Sequence, residues 1–131
     1  MRVLFVEDDP MNRRVVRDML SVAGITVEEA PSAEAGLAMI DASDFAVVLM
    51  DLRMPGMDGL EAIKRIRERK DYKAQWPIIV VTADTSLHIR ETCMAGGADE
   101  LLMKPVAMQP LFKTMATMIA VRSKQAGAAR V

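Results

Sequence analysis

The sequence predicts an α/β domain, a parallel sheet held between two layers of helices. Two observations carry that expectation. Short apolar runs and longer amphipathic segments alternate five times along 131 residues, the pattern of strands joined by right-handed helical crossovers. The third run, Phe45-Ala46-Val47-Val48-Leu49-Met50, is apolar at every position, as a strand covered on both faces must be. Periodicity leaves the strand order open.

Each element has its own signal. Residues 3–6 form the first apolar run. Residues 11–22 have helical spacing, with Met11, Val15, Met19 and Val22 expected on one side and Arg13, Arg14, Arg17 and Asp18 largely on the other. Gly24 closes that helix. Residues 25–29 make a weak second strand, expected near an edge. Ser32 caps a helix to about residue 41 that carries Leu37 and Ile40 inward. Residues 45–50 are the third strand. Asp58, with Glu61 three residues on, makes a capping box for a helix to about residue 69. Residues 69–76 form a longer polar connection, and Trp76 is expected to pack its end against the fourth strand, residues 77–81. Residues 86–95 read as a helix ended by Gly96-Gly97, with His88 exposed and Cys93 acting as a small apolar residue. Residues 100–103 are the fifth strand. Residues 108–122 are the last helix, with Met108, Leu111, Phe112, Met115 and Ile119 at core spacing. The domain is expected over 1–122, followed by a flexible tail over 123–131.

Composition excludes several functions. Seventeen basic against eighteen acidic residues leave a net charge of −1, so there is no global basic field for direct nucleic-acid binding. No apolar run approaches the length that crosses a bilayer, and no cleavable signal segment is read at the N-terminus. A single cysteine rules out an internal disulfide and suits a reducing, cytoplasmic setting. The twelve methionines read first as adaptable core filler.

The chemistry gathers at the strand ends. Parallel strands point their carboxyl ends at one edge, where open α/β sheets bind ligands. The first strand delivers Glu7, Asp8 and Asp9, the third Asp51, the fourth Thr82 and Ala83, and the fifth Lys104-Pro105. Taken singly, each has an ordinary structural reading: a turn or cap for the acids, a strand end for Thr82, a surface position for Lys104. Four strands converging on one such set is a stronger signal than any of them. Clustered carboxylates raise one another's pKa unless a cation intervenes, and oxygen ligands without Cys or His favour Mg²⁺. A carboxylate nucleophile beside a metal, a lysine and a hydroxyl is a phosphoryl-transfer arrangement.

These motifs resemble the receiver domains of two-component response regulators. The resemblance is carried by Val6-Glu7-Asp8-Asp9-Pro10, Leu49-Met50-Asp51-Leu52-Arg53-Met54-Pro55-Gly56-Met57-Asp58-Gly59, Val81-Thr82-Ala83, Lys104-Pro105 and Ala95-Gly96-Gly97-Ala98-Asp99, over residues 2 to about 121. It implies a flavodoxin-like (βα)5 three-layer sandwich with sheet order 2-1-3-4-5. It further implies that Asp51 accepts a phosphoryl group from a histidine kinase or histidine phosphotransfer protein. Asp8 would hold Mg²⁺ directly and Glu7 through water, with Asp51 and the Arg53 backbone carbonyl as further ligands. Lys104 and the Ala83 N–H would contact the phosphoryl oxygens, Thr82 would swing onto them, and the Lys104-Pro105 bond would be cis. Asp9 reads as a helix cap. Phosphorylation would shift the helix 4–strand 5–helix 5 surface towards a downstream protein target.

Two features are particular to this chain. Leu101 stands three residues before the lysine, where receiver domains often carry an aromatic switch residue. Arg53 and Asp84 each lie two residues beyond a site residue, Asp51 and Thr82, and are expected to pair over the pocket mouth and limit water access. The basic residues of helix 1 are expected to be a solvated face that could steer an acidic partner. A stand-alone regulator, monomeric or weakly dimeric, is the leading form. A relay module cut from a hybrid histidine kinase, a small Mg²⁺-dependent phosphotransferase and a scaffold without phosphoryl chemistry are the alternatives. Apart from its own aspartyl phosphorylation and dephosphorylation, the protein is not expected to be an enzyme.

Overall fold

A computed structural model describes residues 1–129. Five strands, β1 (Arg2–Val6), β2 (Thr26–Ala30), β3 (Val47–Asp51), β4 (Ile78–Thr82) and β5 (Glu100–Met103), alternate with five helices. These are α1 (Pro10–Val22), α2 (Ala33–Ala42), α3 (Gly59–Arg67), α4 (Ile89–Ala95) and α5 (Met108–Ala129). All strand pairs are parallel and the order is β2-β1-β3-β4-β5, the flavodoxin-like arrangement.

Side-chain alternation along the strands divides the core into two layers. Leu4, Val6, Val48, Met50, Ile78 and Val80 face α2, α3 and Cys93 of α4. Val3, Phe5, Val47, Leu49, Ile79 and Val81 face α1 and α5. β3 and β4 are buried at every position, as continuous apolar runs predict, and β2 lies at an edge.

Four expectations change. On α1 the core takes Val16 and Leu20, while Met11, Val15 and Val22 are exposed and only Met19 of the expected stripe packs inward. Two i, i+4 rows of apolar residues compete on this helix, and the position of β2 selects between them. The same rotation brings Arg13 and Arg17 onto Glu29 at 3.3 and 2.8 Å, so they are ion-paired rather than a free basic face. α4 starts at Ile89, because His88 adopts a left-handed backbone (φ 63°) that breaks the turn before it. α5 runs past Arg122 to Ala129, through an Ala-rich stretch that favours helix. The expected tail therefore begins inside a helix, and its last two residues, 130 and 131, lie outside the described residues.

The 69–76 connection contains a short 3-10 turn, Tyr72–Gln75. Its Lys73 is buried and donates to the carbonyls of Ile40 at 2.6 Å and Ser43 at 3.2 Å, satisfying the free acceptors at the end of α2. Trp76 packs edge-on against Phe45, ring centroids 6.0 Å apart.

Candidate functional site

The site sits where β1, β3, β4 and β5 end. Asp51 is the last residue of β3 and pairs in register with Val81, one residue before Thr82. It is 4% exposed, because β3 lies in the middle of the sheet. The backbone leaves it sharply: a Cβ on Gly59 would lie 2.3 Å from the Asp51 carbonyl oxygen and 3.0 Å from Leu52 Cα. Only glycine permits α3 to start that close to the strand end.

Glu7 is fully buried at the end of β1. Its Oε1 accepts from Lys104 Nζ at 2.7 Å and from Asn12 Nδ2 at 2.6 Å. Its Oε2 is buried without a hydrogen-bond partner, a costly state for a carboxylate oxygen. Lys104 Nζ also lies 3.4 Å from Asp51 Oδ1. Carboxylate oxygens of Glu7, Asp8 and Asp51 all fall within 4.8 Å of one another. Burial, then the neighbouring Glu7, pushes the Asp51 carboxyl up to about 7. Burial pulls the Lys104 ammonium down, but its contacts with Glu7 and Asp51 outweigh that and its net shift is upward.

An orphaned buried oxygen, an all-oxygen donor set and three crowded acids fit a hard divalent cation such as Mg²⁺. Glu7, Asp8 and Asp51 are the residues whose carboxylate oxygens lie close enough together to hold it. Asp9 caps α1, accepting from the Met11 N–H at 2.9 Å.

Thr82 ends β4, buried, and its hydroxyl accepts the Asp84 N–H at 3.0 Å. Ala83 lines the same crevice of about 470 Å³ as Glu7, Asp8, Asp51, Arg53, Asp84 and Lys104. Arg53 and Asp84 pair, Nε to Oδ2 at 2.9 Å. The Ser86 hydroxyl and N–H, with Arg53, hold the Asp84 carboxyl down to about 2. The Lys104-Pro105 bond is cis. Leu101 packs half-buried against the α2–α3 core layer.

Two site neighbours have roles that the sequence reading does not assign them. Asn12 braces Glu7, and Arg13 Nη1 donates to the carbonyls of Glu7 at 2.8 Å and Asp8 at 3.2 Å. The signal available for Asn12 was its place in the first turn of α1, directly after the acidic pair.

This fold, with an acidic cluster and a lysine at one strand-end crevice, defines a signalling receiver module. A family model described as the response regulator receiver domain matches residues 3–116, and the chain belongs to that family. It is 36% identical over 118 residues to the response regulator MprA of Mycobacterium ulcerans, covering 90% of this chain and 50% of that protein. It is 33% identical over 116 residues to the sensor histidine kinase RcsC of Salmonella typhi, covering 88% of this chain and 12% of that protein. The chain thus spans half the length or less of these two relatives. Among solved structures it resembles the chemotaxis protein CheY4 of Vibrio cholerae, with a TM-score of 0.81 and 32% identity over 89% of this chain and 97% of that one. Among the described residues, no helix is long and apolar enough to cross a membrane.

Proposed function

We propose that Asp51 is the phosphoacceptor of this receiver domain. The observation that carries the reading is the convergence of Asp51, Glu7, Asp8 and Lys104 at one crevice. An ionised Asp51 oxygen attacks the phosphorus of a phosphohistidine. The P–O bond forms as the P–N bond breaks, and the imidazole leaves neutral, keeping the proton already carried on its other ring nitrogen. Lys104, 3.4 Å from Asp51, would neutralise phosphoryl charge, and the Thr82 hydroxyl and Ala83 N–H would donate to the phosphoryl oxygens. Asp8, Asp51 and the Arg53 carbonyl would hold Mg²⁺ directly and Glu7 through water, and the ion would supply Lewis-acid neutralisation of the phosphoryl charge.

The donor is a histidine kinase or histidine phosphotransfer protein, and the output is a change on the α4–β5–α5 surface read by a protein target. The domain comprises residues 1–122 and works in the cytoplasm as a monomer or weak dimer. Its only catalysis is its own aspartyl phosphorylation and dephosphorylation. A relay role within a larger kinase is the second reading, supported by the similarity to RcsC.

Incubation with Mg²⁺ and acetyl phosphate, read by intact mass, tests the assignment. A phosphoryl adduct is expected on the wild type and absent from Asp51→Asn. An adduct that survives Asp51→Asn places the acceptor elsewhere.

A further inference from the structure

Residues 83–88 join the site to α4, and little secures them. His88 stands at the head of α4 with a left-handed backbone and no capping side-chain bond. Leu87 is 86% exposed. The polar contacts of this segment centre on Asp84. Its N–H binds Thr82 Oγ1 at 3.0 Å. Its carboxylate accepts from Arg53 Nε and from both the hydroxyl and the N–H of Ser86, the last at 2.8 Å. One residue therefore ties a site hydroxyl on β4 to the β3–α3 loop and to the approach to α4.

We propose that Asp84 couples the occupancy of Asp51 to the position of the α4 approach, a role for which this chain has no aromatic residue at Leu101. The proposal rests on the phosphoacceptor reading above. When the Thr82 hydroxyl turns to a phosphoryl group on Asp51, the Asp84 N–H loses its acceptor. A phosphoryl group in the crevice also offers the Arg53 guanidinium a second anion, in competition with the Asp84 carboxylate. Both changes act on the same residue, and the weakly held 83–88 segment is the two-state element they bias. Asp84 is a positioning residue in this scheme, since it transmits the change and takes no part in the transfer.

The test is hydrogen exchange over residues 85–95, compared with and without acetyl phosphate and Mg²⁺, with the phosphorylated fraction read by mass in the same samples. The readout is the difference between the two states, which a merely loosened loop would not abolish. The wild type is expected to show a difference. In Asp84→Ala, normalised to the labelled fraction, that difference is expected to fall about threefold or more. Arg53→Ala breaks the pair from the other side and is expected to give the same loss, so misfolding of one variant leaves the other to decide. A full-sized difference in labelled Asp84→Ala, or a wild type that labels with no change over 85–95, overturns the coupling. A wild type that takes up no phosphoryl group overturns the phosphoacceptor reading and the coupling with it.

Discussion

Lys104 and Glu7 are 97 residues apart in the chain and 2.7 Å apart in the structure, and the lysine lies nearer to Glu7 than to Asp51, at 3.4 Å. The ammonium thus serves as counter-ion to Glu7 while remaining within reach of the acceptor. Lys104→Met should leave Glu7 buried with only Asn12 as a donor. Loss of about 1–3 kcal/mol of stability is expected by chemical denaturation. Phosphorylation by acetyl phosphate should slow by about 10²-fold, the usual cost of removing one charge-stabilising donor.

Asp51 gives the metal-free protein a distinctive pH dependence. Its carboxyl rises from an ordinary 3.8 to about 7 through burial and the nearby Glu7. A carboxyl with a raised folded value binds its proton more tightly when folded. Its contribution to stability is therefore greatest below the ordinary value and is lost as pH rises through that window towards 7. In chelator, thermal stability should fall over this range. Saturating Mg²⁺ should flatten the fall, and Asp51→Asn should remove this contribution. A chelated wild type whose pH profile matches that of Asp51→Asn would refute the burial argument.

Gly59→Ala tests the close approach of α3 to the acceptor strand. The new methyl would meet the Asp51 carbonyl oxygen at 2.3 Å, so the backbone must move. A loss of about 2–3 kcal/mol is expected in urea denaturation, with slower Asp51 labelling because the displaced backbone carries the acceptor. An unperturbed variant would mean that α3 shifts freely.

Arg67 is the structural counterpart of the site. It donates to the carbonyls of Gly97, Ala74 and Trp76 at 2.7–2.8 Å and to Asp99 at 3.0 Å. Burial, then the neighbouring Arg122, pulls its guanidinium down to about 10. Arg67→Met should cost about 3–5 kcal/mol, because Asp99 would lose one of its two cations in a buried setting. Arg67→Lys should recover little of it, since a lysine lacks the planar fork that serves four acceptors.

The site was legible because its parts end consecutive strands, and a parallel sheet places all such ends on one edge. Asp51, Glu7, Thr82 and Lys104 each follow an apolar run. The Arg53–Asp84 pairing followed from the same geometry, two equal steps beyond neighbouring strands. Arg67 and Lys73 were opaque because most of their partners are backbone carbonyls, which leave no trace in side-chain patterns.

The amino-acid sequence by itself determined the α/β class, the buried central strands and the chemistry gathered at their ends, since continuous apolar runs and charges that interrupt them are local facts. Tertiary structure decided which of two apolar rows on α1 enters the core, that Arg13 and Arg17 turn to Glu29, and that Lys104 sits closer to Glu7 than to Asp51. Each of those outcomes depends on distances between segments far apart in the chain. Helical periodicity fixes a face only relative to its own axis, and packing against the sheet sets how that axis is turned.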